Sequence, residues 1–163
     1  ETELRLPGRP RDIQQALTER YRCDPERLQV YGQEEWTAPP ASGSALARAM
    51  VVCPCTTGAL AAIANGNSDN LLERAADVSL KEGRKLILAL RETPLSVIHL
   101  ENMLRLARAG AVILPANPGF YHRPATVAQL VDFIVARILD QLEIPHALLL
   151  RWGENPESRG IPS

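Results

Sequence analysis

Ala49-Met50-Val51-Val52-Cys53 runs into Pro54-Cys55-Thr56-Thr57-Gly58, and Leu86-Ile87-Leu88-Ala89-Leu90 runs into Arg91-Glu92-Thr93-Pro94. Each is a short, continuous apolar run closed by turn-forming or polar residues. A strand with one wet face alternates polar and apolar residues; one that is apolar throughout is buried on both faces. Ala111 to Leu114 repeats the pattern ahead of a loop from Pro115 to Pro124.

Helical patterns separate these runs. Thr56-Thr57-Gly58 leads into a small-residue helix, Ala59 to Ala64, stopped by Asn65-Gly66-Asn67. A second helix is predicted from about Asn70 to Lys81, with Leu72, Ala75, Ala76 and Val78 facing inward, and a third from Ser96 to Ala109, ended by Gly110. Thr126 and Gln129 have capping-box spacing. Val127, Leu130, Val131, Ile134, Val135, Ile138 and Leu142 then recur at three and four residues. Toward the start, Pro10 opens a helix carrying Ile13, Ala16, Leu17 and Tyr21, Leu28 to Tyr31 reads as a short strand, and Trp36 to Ser44 reads as a loop. Ala147 to Leu150 suits either one more buried strand or an exposed patch at an interface. Strands alternating with helices specify an α/β fold with a parallel sheet covered on both faces. Residues 1–153 are read as one domain and 154–163 as a flexible polar tail.

The chain has 163 residues, enough for one core, with 45% hydrophobic and 23% charged residues. No apolar run is long enough for a membrane span. A net charge of −1 argues against nucleic acid as the main partner. Cys23, Cys53 and Cys55 cannot all pair within one chain, which favours reduced thiols and a cytoplasmic setting. Aromatics make up only 4%, so Trp36, Phe120, Tyr121 and Trp152 each carry a choice between core filling and a specific role.

In open parallel sheets, ligands bind beyond the carboxyl ends of the strands. Three such ends carry unusual residues here. Thr56, Thr57 and Gly58 offer hydroxyls and amides at a helix start, suited to a phosphate or flavin edge, though helix capping is the plainer reading. Arg91 offers an anchor for a phosphate or ring carbonyl, and Glu92 a group able to move a proton; a surface Arg and a helix-start Glu are the common alternative. Arg137 flanks the apolar stripe of the last helix, where an Arg usually has an anionic partner: Asp132, Asp140 or a ligand phosphate. Cys53-Pro54-Cys55 is not read as a metal site. Structural zinc needs four ligands, and His99, His122 and His146 supply no second pair at suitable spacing. A Cys–His nucleophile using His122 lacks a third, orienting group.

Cys53 to Gly58, Asn70 to Val78, Leu80-Lys81-Glu82, Arg91 to Pro94, His99-Leu100-Glu101-Asn102-Met103, Gly119 to Pro124 and Arg151-Trp152-Gly153 together closely resemble the UbiX flavin prenyltransferases. The resemblance implies a Rossmann-like, flavodoxin-like three-layer sandwich. It implies non-covalent FMN as prenyl acceptor and dimethylallyl monophosphate as donor, with bonds made at flavin N5 and C6 and no metal. The product, prenylated FMN, would go to a UbiD-type decarboxylase. The assembly would be a homododecamer with sites at subunit junctions. By motif, Thr56, Thr57, Gly58 and Ala59 occupy the flavin-contacting turn, joined by Arg91. Glu92 is the acid/base residue and Glu1 stands at the reacting end. Lys81, Tyr121 and Arg137, with Arg74 nearby, match the residues that hold the donor phosphate, and Trp152 closes over the site.

The family's leading strand and Gly-Ala-Ser-Gly phosphate loop have no counterpart here. The expectation is an N-terminal βαβ portion of roughly 35–50 residues upstream of Glu1, by usual element and loop lengths. Two related readings share the fold. An FMN-dependent cysteine decarboxylase would carry a Met-Asn-rich motif where this chain has Pro115-Ala116-Asn117-Pro118-Gly119. A flavin carrier without chemistry would not need Lys81, Glu92, Tyr121 and Arg137 together. For a direct aromatic-acid decarboxylase, no separate electron-sink chemistry is visible.

Overall fold

The structure is a computed structural model and describes residues 6–44 and 47–149. Glu1, Arg151-Trp152-Gly153 and the tail 154–163 lie outside them. Three parallel strands, β1 (Ala49–Cys55), β2 (Lys85–Leu90) and β3 (Val112–Pro115), form a sheet in the order β1-β2-β3. The central strand is the most apolar run, and Leu86 to Leu90 are all buried. Alternation along a strand splits it into two faces. Leu86, Leu88 and Leu90 join Val52, Cys55, Leu60, Ile63, Ala76 and Leu106 in one core, while Ile87 and Ala89 are buried on the other face.

Among the described residues, five α-helices accompany the sheet: α1 (Pro10–Tyr21), α2 (Thr57–Asn65), α3 (Leu71–Lys81), α4 (Val97–Arg108) and α5 (Val127–Gln141). Their starts are chemically marked. Thr56, Asn70, Ser96 and Thr126 each accept a backbone N–H of the first turn through the side chain, and Ser96 and Thr126 belong to full capping boxes. Gly66 ends α2 at φ 72°, a left-handed position that glycine occupies without strain.

Four expectations are corrected. Residues 28–31 are extended but form no strand, because the Val30 N–H donates to Gln14 Oε1 rather than to a neighbouring strand. Pro54 does not end β1; the strand continues to Cys55, with the pairing register shifted between Val52 and Cys55. Proline lacks a ladder donor and is tolerated at such an irregularity, here on a strand that among the described residues pairs on one side only. In α3 it is Leu71 that is buried, and Leu72 is 37% exposed. The apolar stripe of α5 is largely uncovered: Val127 is 76% and Val131 54% exposed, and only Ala136 is buried, because the described residues provide nothing to cover it. Residues 144–149 form no strand, and Leu148 is exposed. Trp36, Phe120 and Tyr121 are all exposed and do not fill the core.

The two neighbouring cysteines differ sharply. Cys53 is exposed, whereas burial pushes the Cys55 thiol up to about 11. At pH 8 an alkylating reagent therefore modifies Cys53 and spares Cys55 until the protein is unfolded, which peptide mass mapping reads directly. Because the unfolded thiol ionises near 9.0 and the folded one does not, Cys55 makes the fold lose stability as pH rises from there toward 11.

Candidate functional site

Strand register decides which residues meet. Cys55 is level with Leu90, and Leu90 with Pro115, so the three strands end on one line. Thr56, Arg91 and Ala116 leave the sheet side by side, and the Ala116 N–H donates to the Leu90 carbonyl at 2.7 Å. Thr56 caps α2 by accepting the Ala59 N–H at 3.1 Å. The amides of Thr57 and Gly58 then open the helix at this edge. A Cβ built on Gly58 would meet nothing nearer than Thr56 Oγ1 at 3.8 Å, so space is left for a ligand against the backbone. A helix start with that space suits an electron-rich flavin edge or an anion.

Arg91 and Glu92 are both exposed. Glu92 is not loose: its Oε1 accepts the Thr93 N–H at 3.1 Å, and the Thr93 hydroxyl donates to the Glu92 carbonyl at 2.8 Å. One carboxylate oxygen is thereby oriented and the other points away from that bond. Beyond β3, the Tyr121 ring stands edge-on to His122 at 5.4 Å and to Phe133 at 6.1 Å, and His122 stacks on Phe133 at 5.5 Å. Gly119 makes this fold-back feasible, since a Cβ there would lie 2.5 Å from the Tyr121 ring and 3.2 Å from Phe133.

Lys81 and Arg137 lie at the other end of the sheet. Lys81 is the last residue of α3, four before Lys85 opens β2, and its ammonium is 3.7 Å from Glu82. The end of α5 is tied to the same place: Lys85 Nζ donates to the Gln141 carbonyl at 2.6 Å and to Glu143 at 3.0 Å. These contacts hold the Glu143 carboxyl below its ordinary value. Arg137 is one turn earlier and donates to Asp140 at 2.7 Å. Six strand residues span about 16–20 Å, so that distance separates Lys81 and the end of α5 from the edge bearing Thr56, Arg91 and Glu92. Arg74 has structural partners, donating through Nε to the Ala41 carbonyl at 3.3 Å and through NH1 to Asp77 at 3.0 Å. It pins the loop at 39–41 to α3.

The structure thus gathers Thr56, Thr57, Gly58, Ala59, Arg91 and Glu92 at one edge, with Tyr121 after the third strand. It sets Lys81 and Arg137 apart from them. Of the two carboxylates considered for Arg137, Asp140 holds it. Sequence alone assigned no role to Gly119 or His146: Gly119 sits in a loop already rich in turn residues, and His146 comes after a chain reversal that no glycine marks. Among the described residues no three His, Cys, Asp or Glu side chains cluster closely enough to hold a metal, and no helix is long and apolar enough to cross a membrane.

Comparison with known proteins agrees with this architecture. The flavoprotein family model matches residues 10–139. A flavin prenyltransferase UbiX of Pseudomonas aeruginosa is 58% identical over 154 residues, covering 94% of this chain and 74% of that protein. The Halalkalibacterium halodurans flavin prenyltransferase UbiX is 48% identical over 147 residues, covering 90% and 71%. Among solved structures, AnUbiX (PadA1) in complex with FMN and dimethylallyl pyrophosphate has a TM-score of 0.75 at 46% identity, over 77% of this chain and 67% of that one. The phenylacrylic acid decarboxylase of Aquifex aeolicus has 0.74 at 40%, over 84% and 79%. A dodecameric FMN-dependent UbiX-like decarboxylase of Escherichia coli O157:H7 has 0.70 at 49%, over 71% and 63%. The family model's match and identities of this size over most of the chain, on a parallel α/β sheet of the same fold, place this chain in the UbiX flavin prenyltransferase family.

Proposed function

We propose that the protein transfers a dimethylallyl group from dimethylallyl monophosphate to N5 and C6 of FMN. The observation that carries this reading is the common line on which the strands end, bringing the α2 start, Arg91 and Glu92 together in a chain of this family. Thr56, Thr57, Gly58, Ala59 and Arg91 hold the flavin. Glu92, oriented by Thr93, moves a proton at the flavin edge. Lys81, Tyr121 and Arg137, with Arg74 behind them, receive the donor phosphate. Glu1 and Trp152 keep the roles their motifs imply, at the reacting end and over the site.

Lys81, just before β2, lies about a strand's length from Glu92, farther than a five-carbon donor spans. On this reading a second copy supplies Lys81 together with Arg137, and the site forms where the lower end of one chain meets the upper edge of another. The uncovered apolar residues Val97, Ile98, Val127 and Val131 give faces for that assembly, and a dodecamer, as in the Escherichia coli relative, is its proposed form. The product serves a UbiD-type decarboxylase, in the cytoplasm, where the three unpaired thiols stay reduced.

The AnUbiX complex holds dimethylallyl pyrophosphate. For this chain a monophosphate dianion matches two cations, Lys81 and Arg137, and one hydroxyl, Tyr121. The test is incubation with reduced FMN and either donor. The flavin is expected to gain the mass of one prenyl unit with the monophosphate, unchanged by a metal chelator. Gain only with the diphosphate, or none, overturns the reading. Two structural relatives are named decarboxylases, so release of carbon dioxide from phenylacrylic acid without a second protein is the outcome that would favour that activity instead.

Gly119→Ala probes Tyr121. The new methyl forces the ring from its place, an overpacking that typically costs about 1–3 kcal/mol. A rise in donor KM with little change in FMN affinity is expected in steady-state kinetics; unchanged KM would remove Tyr121 from the phosphate site.

A further inference from the structure

We propose that Asp140 and His146 are positioning residues for the donor phosphate, acting through Arg137. The proposal rests on the reading of Arg137 as a phosphate ligand. Asp140 stands one turn beyond Arg137 at the end of α5 and works in two directions. Its Oδ2 accepts from Arg137 NH1 at 2.7 Å, and its Oδ1 lies 3.1 Å from His146 Nε2. The Leu148 N–H donates to His146 Nδ1 at 3.4 Å. A ring nitrogen that accepts carries no proton, so this pattern assigns the neutral proton to Nε2, which donates to Asp140.

The chain path gives the link its meaning. After α5, Glu143 takes the left-handed conformation at φ 59°, and the Ile144 N–H returns to the Leu139 carbonyl at 3.0 Å. The chain reverses there and runs back along α5. Leu148 and Leu149 reach a cavity of about 230 Å³ also lined by Tyr121, Gln129 and Asp132. Asp132 precedes Asp140 by eight residues, about 12 Å of helix. Residues 144–149 therefore form a strap along α5, from the turn of Arg137 to the cavity beside Tyr121. The His146–Asp140 bond fixes the lower end of the strap, and Asp140 fixes the guanidinium beside it.

Stability does not account for the Arg137–Asp140 half of the link. The Arg137–Asp140 pair is exposed at 52% and 36%, and such pairs add little to folding. Orientation is the better account. Arginine presents its N–H donors in a rigid plane, so holding NH1 on Asp140 aims the rest of that plane before phosphate arrives and reduces the ordering that binding requires.

The experiment compares steady-state kinetics and FMN titration for Arg137→Ala, Asp140→Ala, Asp140→Asn, His146→Leu and His146→Gln in the full chain. Asp140→Ala is expected to raise KM for dimethylallyl monophosphate about tenfold, within the range of couplings between touching residues. Turnover and FMN affinity stay within about twofold of wild type. The effect disappears when Arg137 is already Ala. His146→Leu raises KM in the same sense. His146→Gln, whose amide can donate to Asp140 and accept from Leu148, restores it. A purely structural role would instead lower FMN affinity and turnover together. Should Asp140→Ala not fold, Asp140→Asn and the His146 pair carry the same test. If Arg137→Ala raises KM and neither the Asp140 nor the His146 variants do, the proposal is wrong and the reading of Arg137 stands. If Arg137→Ala leaves KM unchanged, the reading of Arg137 fails first.

Discussion

Glu92→Gln lowers turnover by about a hundredfold to ten-thousandfold, the usual span for losing a positioned proton-transfer group. FMN affinity changes little. Glutamine keeps the size of glutamate and can still accept the Thr93 N–H, so the bend after β2 survives. What it loses is the ability to take a proton. Attaching a carbon at an aromatic C6 requires that position to give up its proton. Among the described residues at the strand-end line, Glu92 is the carboxylate placed next to Arg91. Stopped-flow absorbance with preformed FMN complex separates the effects: binding stays intact and the chemical phase slows. Turnover near wild type would shift the role to Glu1 or to the departing phosphate itself.

The strand ends were legible in the sequence because buried parallel strands are continuous apolar runs, and the residues just after each run must lie at the carboxyl edge. Thr56, Arg91 and Glu92 were therefore placed by pattern alone, and the cap at Thr126 by side-chain chemistry. Failures came where tertiary context outweighed local pattern. Leu28 to Tyr31 has the composition of a strand, yet a strand exists only when a neighbour takes its ladder, and Gln14 takes the Val30 N–H instead. Pro54 reads as a stop, but the strand accommodates it by shifting register. In α5 the apolar periodicity was correct and its partner was not: Val127 and Val131 repeat at helix spacing and still face outward. Periodicity identifies an apolar face without saying whether the same chain or another covers it. The separation of Lys81 and Arg137 from Glu92 was invisible for a related reason. Motifs give membership of a site, whereas distance along a helix or strand decides whether one chain can supply every member.

That separation makes a mixing experiment decisive. Glu92→Gln damages the upper edge of a chain and leaves its Lys81 intact; Lys81→Ala does the reverse. Each variant alone gives an oligomer in which every shared site is defective, with activity expected at about one hundredth of wild type or less from loss of a proton-transfer group or of a charge-assisted phosphate contact. When the two are co-expressed and assemble at random, some junctions join the intact edge of a Lys81→Ala chain to the intact Lys81 of a Glu92→Gln chain. With equal amounts, about a quarter of the junctions in a symmetric assembly meet that condition, so about a quarter of wild-type activity returns. Differently tagged chains and tandem purification confirm that the active fraction is mixed. If each chain held a whole site by itself, mixing would return only the sum of the two residual activities. The same preparations test the faces. Val131→Asp puts a charge on the uncovered stripe of α5, where Val131 is 54% exposed. The substitution costs the isolated fold little, because the side chain is not in its core. If that stripe is an assembly surface, the variant yields smaller species in light scattering, and the recovery on mixing vanishes with the junctions that produced it.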